Sequence, residues 1–194
     1  MNQDNDNNNP ILIIIRGLPG SGKSSIAEGI IQKLNENTIV LLDPDKIDTS
    51  SKDYLDFTKD LKINGIDPKL FPYRFLRNKA YETIDKKGVI IWTQAFTNQD
   101  LLDRTIKNLS NYSSQKSYGL RVLVIDVEIE ENIARERIKK REELGFHGVS
   151  DENFKRFIND YSPFKNYGYD LVELDGENEV SRSVEIILSK LRSL

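Results

Sequence analysis

Short apolar runs alternate with longer amphipathic stretches along the chain. Five of these runs are continuously apolar, which is typical of strands covered on both faces of a sheet. They are Ile11–Arg16, Thr38–Leu42, Val89–Thr93, Leu120–Val127 and Tyr169–Leu174. The stretches with helical periodicity are Lys23–Leu34, Tyr54–Lys62, Phe75–Lys87, Gln99–Leu109, Glu130–Leu144, Glu152–Asp160 and Val180–Leu191. This alternation predicts an α/β fold with a parallel sheet of about five strands and helices on both faces.

The first residues of the chain have a different composition, because they are almost all Asn, Asp and Gln. Such a segment cannot bury apolar surface, so we expect residues 1–10 to form a disordered tail and residues 11–194 to form one domain. The tail lacks the basic start and apolar core of a signal peptide. The longest apolar run, Ile11–Ile15, is too short to span a bilayer. We therefore expect a cytoplasmic protein with no membrane partner.

Charge and cysteine content narrow the function classes further. The formal net charge is −3, so the chain as a whole does not attract nucleic acid. The net charge does not exclude a local basic patch that binds it. There is no cysteine and His147 is the only histidine. A disulfide framework is therefore excluded, and a zinc site is not expected.

The segment Gly17–Ser24 follows the pattern G-x-x-x-x-G-K-[ST] and lies between a predicted strand and a predicted helix. Glycines allow successive backbone N–H groups to point inward and form a phosphate-binding loop. In this pattern the lysine reaches the β- and γ-phosphates and the serine hydroxyl ligates Mg²⁺. We therefore predict a nucleoside triphosphate site rather than a simple turn. Its residues are Gly17, Leu18, Pro19, Gly20, Ser21, Gly22, Lys23, Ser24 and Ser25.

Two acidic residues, Asp43 and Asp45, follow the second predicted strand at the edge of the sheet where the phosphate loop also lies. Phosphoryl transfer needs a carboxylate that orients the nucleophile and takes its proton. One of the two could do this, and the other could hold magnesium or contact the substrate. Asp-Pro-Asp is also ordinary turn chemistry, which is the alternative interpretation.

Two further strand ends carry candidate polar groups. Gln94 follows the third strand, where many phosphate-loop proteins carry an acid, and its amide could bind the substrate or a metal-bound water. Asp126 ends the apolar run of the fourth strand and is a candidate magnesium ligand. It could equally be an acid at a strand end in contact with solvent.

A basic helix followed by a glycine-flanked loop is typical of a lid that brings guanidinium groups onto a transferring phosphate. We place this lid around residues 135–150. Arg137 and Arg141 lie four residues apart on one helical face and are the candidate catalytic arginines. The alternative is a solvated helix whose charges pair with its own glutamates. His147 lies in the loop, and nothing in the sequence assigns it a role.

The segment between the second and third strands is expected to cover the phosphate acceptor. Arg74, Arg77 and Asn78 are its candidate acceptor-binding residues.

Taken together, the phosphate loop, the Asp43–Asp45 pair and the lid arginines resemble the zeta-toxin and polynucleotide-kinase-like branch of P-loop kinases. The resemblance covers most of residues 11–175. It implies a three-layer P-loop fold with strand order 2-3-1-4-5, and ATP with Mg²⁺ as the phosphate donor. It also implies Asp45 as the catalytic base, Lys23, Arg137 and Arg141 as groups that stabilise transfer, and the 3′-hydroxyl of a UDP-N-acetylsugar as acceptor.

The sequence departs from the family pattern at Gln94 and near Asn78, where acids are expected. The identity of the acceptor is therefore not fixed beyond a small or nucleotide-like molecule. An antitoxin-like protein partner is a further expectation. Two other classes stay open as well. They are a P-loop ATP hydrolase and a nucleotide-binding regulatory module, although the guanine-reading N-K-x-D pattern is absent.

Overall fold

A five-stranded parallel sheet forms the centre of the protein in the computed structural model, which describes residues 9–36, 38–145, 148–164 and 168–194. The strands are β1 (Ile11–Gly17), β2 (Ile39–Leu42), β3 (Val89–Thr93), β4 (Arg121–Glu128) and β5 (Asp170–Asp175). Their order in the sheet is β2-β3-β1-β4-β5, and every adjacent pair is parallel. The predicted fold class and strand order are confirmed.

Seven α-helices lie in the described part of the chain. They are α1 (Lys23–Lys33), α2 (Lys52–Ile63), α3 (Phe71–Asp85), α4 (Gln99–Gln115), α5 (Glu131–Glu143), α6 (Asp151–Asp160) and α7 (Val180–Arg192). Two short 3₁₀ turns, Pro44–Lys46 and Pro68–Leu70, precede α2 and α3. Ser51, Asn98 and Ser150 cap α2, α4 and α6 by accepting a backbone N–H in the first turn.

Two helices extend at one end by four or more residues beyond their predicted bounds. α3 begins four residues early, at Phe71, with Pro72 in its first turn where a missing N–H costs nothing. α4 continues past Leu109 to Gln115 through a polar stretch. This stretch stays helical because Ser113 is fully buried, and its hydroxyl lies within hydrogen-bond distance of the Tyr118 and Gly119 carbonyls.

The strands alternate their side chains between two apolar cores, one on each face of the sheet. Ile13 and Ile15 of β1 lie in a core with residues of α1 and α7. Leu12 and Ile14 lie in the opposite core with residues of α3 and α4. Each isoleucine is fully buried and contributes about 1.5–3 kcal/mol relative to an exposed side chain. By the same alternation Arg16 falls on the α3–α4 face, at the carboxyl end of β1.

The predicted tail lies mostly outside the described residues. Its last two residues are described: the Asn9 side chain accepts a hydrogen bond from the Gly119 N–H, and the Pro10 carbonyl accepts one from Arg121. Among the helices that the structure describes, none is long and apolar enough to cross a membrane.

Candidate active site

The phosphate loop connects β1 to α1 and contains three glycines with positive φ: 148° at Gly17, 86° at Gly20 and 97° at Gly22. Two of them are also required by packing. A Cβ at Gly17 would lie 2.5 Å from the Val127 carbonyl oxygen, and one at Gly20 would lie 2.6 Å from that of Ala134. At Gly22, by contrast, a Cβ would meet nothing within 4 Å. Glycine is therefore required at Gly17 and Gly20 because β4 and α5 approach there, whereas at Gly22 it is favoured by the backbone conformation alone.

The amino end of α1 offers a site for an anion. Gly22 is the N-cap residue, no side chain caps the helix, and the first turn holds no acid. The first N–H groups of the helix and its dipole therefore face the loop without a protein anion. Ser21 beside them is buried, and its hydroxyl has no hydrogen-bond partner in the described part of the chain. An orphaned hydroxyl and uncapped amides suit the phosphates of a nucleotide.

Lys23 closes the loop from inside. Its Nζ donates to the Gly17 carbonyl at 2.9 Å and to the Leu18 carbonyl at 2.8 Å. The pKa of Lys23 is lowered to about 8, chiefly by burial and to a smaller extent by Arg141, while the carboxylates of Asp43 and Asp45 oppose this shift. The loop lysine, both strand-end acids and one lid arginine therefore lie near enough to influence one another. The structure brings together these four of the residues predicted from sequence.

Asp43 and Asp45 differ in burial although they are two residues apart. Asp43 is about 9% exposed, and its Oδ1 accepts the Asp45 N–H at 3.0 Å. Asp45 lies in the Pro44–Lys46 turn and is exposed. The turn predicted as the alternative is thus present, and both carboxylates still act on Lys23. Of the two carboxylates, that of Asp45 is therefore the one accessible from solvent.

The two lid arginines on α5 have different surroundings. Arg137 Nη1 donates to the Gly176 carbonyl at 2.7 Å and lies 3.5 Å from the Gly20 carbonyl. Arg141, one turn later, is exposed and influences Lys23. Arg137 therefore fixes α5 to the phosphate loop, and Arg141 presents its charge to the site. His147 of the predicted lid lies outside the described residues.

The end of β3 carries two polar side chains. Gln94 accepts a hydrogen bond from the Trp92 indole at 3.3 Å, and its N–H continues the sheet by donating to the Ile15 carbonyl. Thr93 lies opposite Ile15 and is about 2% exposed. Its hydroxyl has no partner among the described residues. By strand alternation Thr93 faces the α1 side of the sheet. At this end of β3 the sequence analysis had singled out only Gln94.

Asp126, the predicted magnesium ligand on β4, lies in a buried ion pair. Its Oδ1 is 3.6 Å from Arg16 Nε and accepts a hydrogen bond from the Tyr161 hydroxyl at 2.6 Å. By strand alternation Asp126 lies on the α3–α4 face with Arg16, whereas α1 covers the opposite face. Arg16 was missed in the sequence analysis, and the signal was a charged residue at the end of the apolar run "ILIIIR".

The candidate acceptor residues lie on α3. Arg74 and Arg77 are half-buried, in the first two turns of the helix, and the helix amino end lies near the carboxyl edge of the sheet. Asn78 donates to Glu82 on the same helix at 2.8 Å. Phe75 packs edge-on against Tyr54 of α2, with ring centroids 5.1 Å apart. The structure thus places Arg74 and Arg77 at the site edge, and it engages Asn78 with a neighbour on its own helix.

A cavity of about 740 Å³ opens beside the phosphate loop, at the carboxyl ends of β4 and β5. Its lining includes five carboxylates: Glu128, Glu130, Glu173, Asp175 and Glu177. Gly176, next to Asp175 and Glu177 of the cavity lining, packs against the phosphate loop. A Cβ at Gly176 would lie 2.8 Å from the Ser21 carbonyl oxygen. No cluster of three or more metal-ligating side chains occurs within the described ranges. Magnesium often binds through one or two carboxylates together with phosphates, so it does not need a cluster of three such side chains and still fits this site.

Comparison with known proteins places this site in a family. The family profile AAA_33, described as an AAA domain, matches residues 12–164. Among curated proteins, none matches the chain.

Solved structures share the fold over nearly the whole chain. A protein from Chloroflexus aurantiacus J-10-fl is 19% identical, with a TM-score of 0.64 over 96% of this chain and 98% of that one. A gluconokinase from Sinorhizobium meliloti 1021 is 15% identical, with a TM-score of 0.59 over 95% and 93%. The APS kinase of Mycobacterium tuberculosis is 14% identical, with a TM-score of 0.55 over 95% and 98%. This chain therefore has the same fold as these three proteins.

Proposed function

Since the chain belongs to the AAA_33 family of AAA domains, we propose that it is a P-loop kinase that transfers the γ-phosphate of ATP to a hydroxyl group. The observation that carries the proposal is the phosphate loop: the Lys23 ammonium donates to the Gly17 and Leu18 carbonyls within it, and the charges of Asp43, Asp45 and Arg141 act on its pKa. A hydrolase needs a positioned water, whereas an exposed carboxylate beside the phosphate loop suits the hydroxyl of an acceptor. That two proteins with this fold are named as a gluconokinase and an APS kinase supports the kinase class.

In this proposal each residue has one task. The loop amides and Lys23 hold the phosphates, and the Ser24 hydroxyl and Asp43 would hold Mg²⁺, which supplies positive charge on the phosphate oxygens. Asp45 accepts the proton of the acceptor hydroxyl. The acceptor oxygen bonds to the γ-phosphorus, the bond to the β-phosphate oxygen breaks, and ADP leaves. Arg141 faces the charge that develops on the transferring group.

The cavity between β4 and β5 would take the nucleoside half of ATP. Its carboxylates repel phosphate and can accept hydrogen bonds from amino groups of a base. The acceptor would enter from the other side, between Asp45 and the first turns of α3. Arg74 and Arg77 there suit an acceptor that carries its own phosphate or another anionic group.

The finer assignment follows the zeta-toxin resemblance. We propose a small, anionic sugar or nucleotide acceptor, with a UDP-N-acetylsugar as the first candidate and an antitoxin-like protein as the corresponding partner. Arg74 and Arg77 support the anionic acceptor. The proposal for the protein partner rests on the resemblance alone.

The deciding experiment is a screen with γ-labelled ATP against UDP-sugars, nucleosides, oligonucleotides with a 5′-hydroxyl, phosphosugars and small alcohols. We expect label to appear on one class of acceptor, with ADP formed in equal amount. Lys23→Ala serves as the inactive control for contaminating kinases. ADP release without a labelled acceptor in every class would favour the hydrolase, and binding of ATP without turnover would favour the regulatory module.

A further inference from the structure

Arg16 is the most unusual residue that the proposed mechanism leaves unused. It is a charged residue with 0% exposure among the apolar residues of β1, and it directly precedes the phosphate loop. Its Nη2 donates a hydrogen bond at 2.8 Å to the Ser162 carbonyl oxygen. Nε and Nη1 have no hydrogen-bond partner among the described residues. A buried guanidinium with two unbonded nitrogens is costly, so a packing role alone does not explain it.

Outside the sheet, the Arg16 guanidinium contacts three residues of the segment 161–164, which follows α6. Its Cζ lies 4.5 Å from the Tyr161 ring centroid and 5.6 Å from that of Phe164. Asp126 completes the arrangement, because it lies beside Arg16 and accepts the Tyr161 hydroxyl. Burial and the Asp126 carboxylate raise the pKa of Tyr161, so its hydroxyl stays protonated and donates.

The loop after β3 holds the same segment from a second side. The Ser162 N–H donates to the Thr97 carbonyl at 3.2 Å, and the Ser162 hydroxyl donates to it at 3.1 Å. The segment 161–164 is therefore bound at the carboxyl ends of β1, β3 and β4 together. This is the edge of the sheet at which the phosphate loop lies.

The anchored segment is continuous with the lid helices. α6 packs on α5 through a small apolar cluster of Ala134, Ile138 and Phe154. Arg135 of α5 adds an ion pair to Asp151 at 2.8 Å and lies over the Phe154 ring at 4.5 Å. Fixing the end of α6 therefore fixes α5 and its arginines.

We propose that Arg16 is a positioning residue that sets the placement of the lid arginines by anchoring the segment 161–164 to the strand of the phosphate loop. Arg16 touches neither the nucleotide nor the acceptor, and it acts through Tyr161, Ser162 and α6. The effect of Arg16 on catalysis rests on the proposed kinase function. The anchoring itself does not depend on it.

The test compares Arg16→Met, Arg16→Lys and Tyr161→Phe with a matched control, Arg121→Met. Arg121 belongs to the neighbouring strand β4 but lies at the opposite, amino edge of the sheet, opposite Ile11. The first measurement is amide hydrogen exchange, which needs no acceptor. In Arg16→Met we expect exchange of the 151–164 region, including the Ser162 N–H, to accelerate at least tenfold, with α1 unchanged. Arg16→Lys retains the charge beside Asp126, so we expect a smaller acceleration.

The second measurement separates binding from transfer. With MgATP as probe, we expect the Kd of the Arg16 variants to stay within about threefold of the wild type. With the acceptor identified by the screen, we expect kcat to fall roughly tenfold or more in Arg16→Met and by less in Arg16→Lys. Equal losses in ATP affinity and kcat would overturn the positioning role.

Tyr161→Phe keeps the ring and removes one hydroxyl, so it tests the proposal even if Arg16→Met does not fold. We expect faster exchange at 161–164 and a kcat reduced severalfold. Unchanged exchange in Tyr161→Phe and in any folded Arg16 variant would overturn the anchor. Faster exchange together with a wild type that phosphorylates no acceptor would support the anchor and reject the kinase function.

Discussion

The two sides of the candidate site are built in different ways. On the nucleotide side, backbone fits against backbone: Gly20 faces the Ala134 carbonyl, and a side chain at Gly20 would collide with it at 2.6 Å. On the proposed acceptor side, α2 and α3 are joined by the edge-on contact between the buried Tyr54 ring and the half-buried Phe75 ring, and by the Lys79–Asp53 ion pair, whose aspartate is 64% exposed. In the proposed kinase, main-chain geometry would therefore fix the binding of the phosphates, and side chains would determine the choice of acceptor.

The largest expected effect is loss of the loop lysine. Lys23→Ala removes the side chain that donates to the Gly17 and Leu18 carbonyls of the phosphate loop, so we expect turnover to be abolished and ATP affinity to fall. The measurements are acceptor phosphorylation and calorimetric ATP binding. Lys33→Ala, at the far end of the same helix, is the control. Near-normal transfer by Lys23→Ala would refute the nucleotide site.

Loss of the exposed carboxylate should spare the nucleotide side. Asp45→Asn keeps the size but not the base, so we expect transfer to fall about a hundredfold or more while ATP still binds. Slow hydrolysis without acceptor should fall much less. The three quantities are measured on one preparation, with Asp48→Asn as a nearby exposed control. If ATP affinity falls together with transfer, Asp45 is mainly a magnesium ligand.

The two lid arginines should separate binding from transfer. For Arg141→Ala we expect kcat to fall by tens of fold with little change in ATP affinity, because its exposed charge meets the transferring group. Arg137→Ala should lower both, since Arg137 ties α5 to Gly20 and Gly176. Lys140→Ala, also exposed on α5, is the control. Identical profiles for the two arginine variants would contradict the division of roles.

The pKa of Lys23 gives a pH dependence to ATP binding. Burial lowers this pKa to about 8, so in the free protein the ammonium loses its proton above that pH. Phosphates bind the charged form, so affinity should be constant below about pH 7 and fall roughly tenfold per pH unit well above pH 8. Calorimetry in buffers of different ionisation enthalpy should detect proton uptake on binding near pH 8.5. No uptake there would mean that Lys23 remains charged.

The smallest expected effects lie on the acceptor side. We expect Arg74→Ala and Arg77→Ala to raise the KM for the acceptor severalfold without changing the KM for ATP. Lys86→Ala, just past the far end of α3, is the matched control. An equal rise in both KM values would place these arginines in the nucleotide site.

The sequence was sufficient for the fold because both faces of the sheet are covered and the apolar runs are therefore continuous. The sequence was not sufficient where the role of a residue depends on partners that lie far away along the chain. Asp126 reads as a strand-end acid, and only the return of Tyr161, 35 residues later, shows why it is buried. Gly20 reads as a phosphate-loop glycine, and only the approach of α5 shows its second role. Polar residues after Leu109 read as a loop because the burial of Ser113 leaves no periodic signal.

The central position of β1 in the sheet has a consequence for the order in which the protein is made. Ile11 pairs with Val89 on one side and with Arg121 on the other, so β1 has no neighbour until much later segments have been synthesised. The contact between Ser21 and Gly176 spans 155 positions of the sequence. At about 5–20 residues per second, a ribosome needs roughly 8 to 30 seconds to cover that distance. A nascent chain should therefore acquire its ability to bind ATP only after the segment around Gly176 has been synthesised.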